Sequence, residues 1–172
     1  KEDISFLTDK DKMDILMKRY MGVPELIKKI HDNPSNHNFF IPNLNKKILA
    51  YLNTENKIEY DNYNEICDQI IEDNIERFDE FFNELGNKLN NTIKSKVNKV
   101  IEDNNTNEEI SKKYADDIKY YLMNKSKEYK KDVNTYISNY ISNMDKLLLE
   151  EMSKQKDINK EINNKINDNA EL

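Results

Sequence analysis

Hydrophobic and polar positions keep a helical spacing along most of this chain and lose it in one stretch. Thr8-x-x-Asp11 reads as a helix start, with the Thr8 hydroxyl as cap and Asp9 and Asp11 favoured by the helix dipole. Ile15, Leu16, Arg19 and Tyr20 follow, and Gly22 is expected to end the element as a C′ glycine. Pro24 suits the first turn of a second short helix with Leu26, Ile27 and Ile30 on its apolar side. His31-Asp32-Asn33-Pro34 ends it, because proline biases the residue before it out of the α region.

The next stretch breaks the period. Ser35 to Asn38 reads as a polar loop, Phe39 to Ile41 as a short strand, and Pro42-Asn43 as a turn. Ile48, Ala50 and Leu52 alternate with Leu49 and Tyr51, and Ile58 with Tyr60 resumes the alternation after Asn53-Thr54-Glu55-Asn56. Residues 48–60 are therefore expected to form a β-hairpin.

From Asn62 the period is helical again. Tyr63, Ile66, Ile70, Ile75, Phe78, Phe81 and Leu85 line one side with acids opposite. Gly86 marks a break or kink, although Leu89, Ile93, Val97, Val100 and Ile101 continue the stripe. Glu102 to Asn107 reads as a loop, and Thr106-x-x-Glu109 as the capping box of a last helix from about 107 to at least 152. Ile110, Tyr114, Ile118, Leu122, Val133, Ile137, Ile141, Met144 and Leu148 form its apolar edge, too long for a small core to cover. That edge is expected to be an interaction seam, met by the preceding helix folded back or by a copy from another chain.

The fold class that follows is α+β, predominantly α. A small helix-helix-strand-hairpin module (1–61) precedes long antiparallel helices or coiled-coil arms (62–155), with a fraying or disordered tail (156–172). Composition agrees: 35% charged against 37% hydrophobic residues, with two Gly and three Pro, favours one-sided helices over a thick core. The first residue is Lys1 rather than Met, so a longer parent protein is expected.

Charge narrows the function. Residues 1–60 carry ten basic and nine acidic side chains, 61–105 five and eleven, and 106–172 twelve and thirteen. No segment has the positive excess of a phosphate-backbone binder, so nucleic acid is the less favoured partner. Its one plausible face combines Lys28 and Lys29 on the second helix with Lys46, Lys47 and Lys57 on the hairpin. A single cysteine, Cys67, excludes an internal disulfide, and no apolar run approaches the length of a membrane span or secretory core. Reducing or indifferent surroundings are expected, with no secretion and no membrane partner.

Candidate chemistry is sparse. His31, His37 and Cys67 are the whole stock of soft ligands, one short of a structural zinc site, and the two histidines in one loop lack the strand and helix of an HNH nuclease. His31, Asn33, Asn36, His37 and Asn38 are instead expected to organise the loop around Pro34 through backbone hydrogen bonds. Asp68, Glu72, Asp73, Glu76, Asp79 and Glu80 read as a solvated helix face, or one that meets a basic partner, and the tyrosines from Tyr114 to Tyr140 as edges of a helix seam. No phosphate loop, nucleophile elbow or Ser/His/Asp set occurs, so no cofactor, small-molecule substrate or enzymatic activity is expected.

Three strings carry a resemblance. Glu2-Asp3-Ile4-Ser5-Phe6-Leu7-Thr8, Val23-Pro24-Glu25-Leu26-Ile27-Lys28-Lys29-Ile30-His31-Asp32-Asn33-Pro34 and Asn36-His37-Asn38-Phe39-Phe40-Ile41-Pro42-Asn43 are together similar to a recurrent C-terminal domain of giant DNA virus (mimivirus-like) proteins. In that family a C2H2 zinc finger and a coiled-coil linker precede the domain. The similarity spans residues 2–85; the hairpin here lacks a Trp that the pattern often carries, and no C2H2 pattern occurs in these residues. It implies an intracellular viral protein of the host cytoplasm or viral factory. With the seam, it leads to the expectation of a non-enzymatic interaction or oligomerisation module, the alternative being a nucleic-acid-binding module.

Overall fold

The structure, a computed structural model, describes residues 2–42, 46–53, 55 and 57–170. The fold is α+β and predominantly helical. Helices α1 (Asp9–Met17) and α2 (Gly22–His31) lead into strands β1 (Phe39–Phe40), β2 (Ile48–Leu52) and β3 (Ile58–Asn62). Helices α3 (Tyr63–Leu85), α4 (Asn91–Thr106) and α5 (Glu108–Ala170) complete the chain. The strands form one antiparallel sheet in the order β1-β2-β3, with Phe39 opposite Tyr51 and Ala50 opposite Tyr60. The expected turn residues Asn43, Thr54 and Asn56 lie outside the described residues.

Two compact units result, Lys1–Val133 and Asn134–Leu172. The boundary expected after residue 61 falls inside the first unit, and the reason is local. Asn62 is at once the last strand residue and the N-cap of α3, its side chain accepting from Asn64 N, while Tyr63 N donates to Lys47 O at 3.0 Å. No linker separates hairpin from helix. In the first unit α1 and α2 both pack on α3, and Ile71, Phe78, Phe81 and Leu85 of α3 are buried along with Leu16, Val23, Leu26 and Ile27 of the two shorter helices. Leu49 and Ala50 are both fully buried, so the central strand is covered on both faces and the simple alternation expected for it is lost.

Several helix ends differ from expectation. α1 starts as read, with a complete Thr8–Asp11 capping box, but it ends at Met17, two residues before the left-handed Arg19 (φ 56°), and not at Gly22. Gly22 is right-handed and opens α2, where a Cβ would lie 2.4 Å from Phe78 Cε2 and 2.7 Å from Ile15 O. Its smallness serves packing rather than a turn. The stripe through Gly86 is a true break: a 3-10 turn covers Gly86–Lys88, and Asn90 caps α4 through Ile93 N. α4 runs through the expected 102–107 loop to Thr106, whose hydroxyl bonds back to Glu102 O, so the cap of α5 falls one residue later, on Asn107. Residues 156–170, expected to fray, continue α5 as helix.

Candidate functional site

The apolar edge of α5 divides sharply. In the first unit Tyr114, Ile118, Leu122, Tyr129 and Val133 are at most 2% exposed, with Ile110 half-buried. Tyr129 is covered by the far end of α2, the turn after it and β1, whereas Tyr114 bonds Asn104 of α4 and the neighbouring Lys119 lies over the Tyr63 ring of α3. Tyr129 packs its ring against His37 (centroids 4.3 Å) and Phe39 (5.4 Å) and donates its hydroxyl to His31 O at 2.9 Å. The Tyr121 hydroxyl lies 2.8 Å from Asp32 Oδ1 and 3.1 Å from Lys28 O. His31 O belongs to the last turn of α2, where a carbonyl has no partner inside the helix, while Lys28 O already accepts from Asp32 N at 2.8 Å. Tyr129 therefore caps α2 from outside, and burial pushes its phenol up to about 12 against the lowering effect of its bond to the Tyr121 hydroxyl. Ser126, 6% exposed, donates to Ile41 O at 3.0 Å and accepts from Ile41 N at 2.9 Å, closing the chain beyond β1.

In the second unit Ile137 is half-buried and the remaining seam residues are open: Ile141 is 53% exposed, Met144 42% and Leu148 54%.

The loop residues gather at the end of α2. Asn33 accepts from Ser35 N, opening the 3-10 turn Pro34–Asn36. Asn36, 3% exposed, accepts from Asp3 N (2.7 Å) and donates to Asp3 O (2.8 Å) and Ile30 O (3.0 Å), pinning the N-terminal segment to α2. Asn38 offers its carbonyl to Leu52 N. The histidines take carboxylates instead of backbone. His37 Nδ1 contacts Asp132 Oδ2 at 2.5 Å, and the His31 ring, 1% exposed, sets Nε2 2.8 Å from Glu2 Oε1 but out of line for a hydrogen bond.

A buried polar group not foreseen from the sequence surrounds Glu2. Arg77, 6% exposed, donates to Glu2 Oε2 and to Asn74 Oδ1, and Asn74 donates to Ile70 O at 2.7 Å. Burial of Glu2 works against its charge, but the His31 ring and the Arg77 guanidinium outweigh that and hold its carboxyl down at about 2. The only signal available in the sequence was an arginine and an asparagine on the buried side of the α3 stripe.

The five lysines of the basic face are largely committed. Lys28 pairs with Glu25, Lys29 with Asp11 at 2.5 Å and Lys57 with Glu55 at 2.7 Å; Lys46 and Lys47 are exposed. Glu59 and Asp61 lie exposed on the neighbouring β3, so the hairpin offers no uniformly positive surface. Cys67 is a buried free thiol, pushed up to about 11 by burial, which makes it a packing residue rather than a nucleophile.

Fold and surfaces together define a predominantly helical α+β protein in which no helix among the described residues is long and apolar enough to cross a membrane. No family model matches the chain, no curated protein is similar to it, and no solved structure matches its fold.

Proposed function

We propose that the chain is a non-enzymatic oligomerisation module that self-associates through residues 137–162 of α5, within a parent of the giant-virus type its N-terminal strings resemble. The observation that supports this reading is the open seam of the second unit. Ile141, Met144, Leu148, Ile158 and Ile162 are 42–54% exposed on a helix with no Gly or Pro. A one-sided helix of this kind draws its stability from covering that side.

The spacing favours a second copy as the cover. Ile137, Ile141, Met144 and Leu148 fall at alternating steps of four and three, and after polar Glu151 and Gln155 the same register meets Ile158 and Ile162. In a parallel, in-register pair the flanking Leu147 of one helix faces Met152 of the other, both apolar and both more than half exposed. Residues 134–162 carry five acidic and four basic side chains, so little net charge opposes pairing.

Burying each such side chain is worth about 2 kcal/mol, which makes a double substitution decisive. Light scattering behind size exclusion is expected to show an oligomer for the native chain and a monomer, with weaker helical circular dichroism, for Ile141→Lys with Leu148→Lys. A native chain that stays monomeric at every concentration would sink the reading.

A further inference from the structure

Resting on self-association through α5, we infer how the partner copy lies: the two helices pair parallel and in register, and a polar step at Glu151 and Gln155 selects that arrangement over the antiparallel one. The step sits off-centre in the seam, with four apolar positions before it, from Ile137 to Leu148, and two after it, Ile158 and Ile162. A lopsided seam matches itself differently in the two directions.

In a parallel, in-register pair every apolar position meets its own copy, and Glu151 packs beside Gln155 of the other helix, an amide donor for its carboxylate. The two Glu151 carboxylates repel, so the step weakens the pair while fixing its direction, the trade that a polar core position makes in a coiled coil. An antiparallel pair with full overlap sets Ile137 on Ile162 and Ile141 on Ile158, but also Met144 on Gln155 and Leu148 on Glu151. That presses an amide and a carboxylate against apolar side chains without a partner, which is costly. Sliding the antiparallel helices until Glu151 faces Gln155 restores the polar match but carries Ile137 and Ile141 past Ile162, where the seam ends. The flanks agree. Leu147 and Met152, 57% and 60% exposed on the single helix, cover each other only in the parallel pair, whereas the fully overlapped antiparallel pair sets Leu147 near Lys154 and Met152 near Asp145.

Disulfide trapping on the full chain tests this. Ile141→Cys and Ile158→Cys chains are mixed under reducing conditions and oxidised, and the links are identified by peptide mass spectrometry. The native chain, whose one thiol is the buried Cys67, is the unlinked control. Each variant is expected to link to its own kind, 141 to 141 and 158 to 158, because only facing positions come within the Cα separation of about 4.4–6.8 Å that a disulfide spans. Oxidation accumulates even sparse pairs, so a weaker association of the cysteine chains does not hide the result. Links between 141 and 158 alone, or no links where light scattering shows the native chain to be an oligomer, overturn the parallel register. A native chain that scatters as a monomer overturns the self-association beneath it instead. Glu151→Ile with Gln155→Ile, added to both cysteine chains, removes the step. It is expected to lower the dissociation constant at least about tenfold and to let links between 141 and 158 appear. If like-to-like links stay exclusive in that variant, the polar step does not select the direction.

Discussion

Glu2 shows how much one residue near the start of the chain can hold. It bridges His31 of α2 and Arg77 of α3 from a largely buried position, so the N-terminal segment, the second helix and the third are joined through one carboxylate. In the fold this carboxyl titrates at about 2 against 4.5 when unperturbed. Unfolding therefore takes up a proton between those values. The contribution is complete above about pH 4.5 and lost as pH falls towards 2, worth about 3 kcal/mol at neutral pH. Urea unfolding from pH 6 to pH 3 is expected to show native stability dropping across that window, while Glu2→Gln starts lower and changes less. A variant whose acid limb parallels the native one would remove Glu2 from this role. Arg19 and Gly22 make the complementary case. The left-handed position that favours glycine carries an arginine, and the glycine stands three residues on, where Phe78 and Ile15 leave no room for a Cβ.

At the scale of elements, α5 serves the first unit as a source of caps as well as through its buried apolar edge. Its Tyr121 and Tyr129 hydroxyls reach the last-turn carbonyls of α2, and Ser126 satisfies both backbone groups of Ile41. Such groups are costly to strand because the surrounding side chains exclude water. Ser126→Ala is accordingly expected to destabilise the chain by about 1–3 kcal/mol in urea unfolding, more than the loss of one small side chain would cause by packing alone. An effect below about 0.5 kcal/mol would mean that the Ile41 groups find other partners. Helix periodicity gave no warning of this, since a tyrosine or serine on an apolar edge reads as a border residue until something polar is seen opposite it.

For the whole molecule, the two units differ in how their apolar surface is closed. The first closes on itself. The second, a single helix, exposes Ile141, Leu147, Leu148 and Met152 by more than half. If a second copy covers that edge, association is coupled to folding and stability rises with concentration by mass action. Thermal unfolding followed by circular dichroism is expected to shift its helical transition upward on raising the protein concentration, and Ile141→Lys with Leu148→Lys should abolish the shift. A concentration-independent transition in the native chain would count against self-association.

What the amino-acid order determined by itself was local and periodic. It placed the hairpin at 48–60, the amphipathic stripe of α3, the break near Gly86 and the apolar edge of α5, because side-chain alternation and helix period are set by residues a few positions apart. Only the tertiary structure decided which half of that edge is covered, that the Tyr129 hydroxyl takes up the His31 carbonyl, and that Arg77 and Glu2 meet across 75 residues. Those outcomes depend on which polar group lands opposite another when distant segments pack, and the energy of a buried polar atom is fixed by that partner and not by its neighbours in the chain.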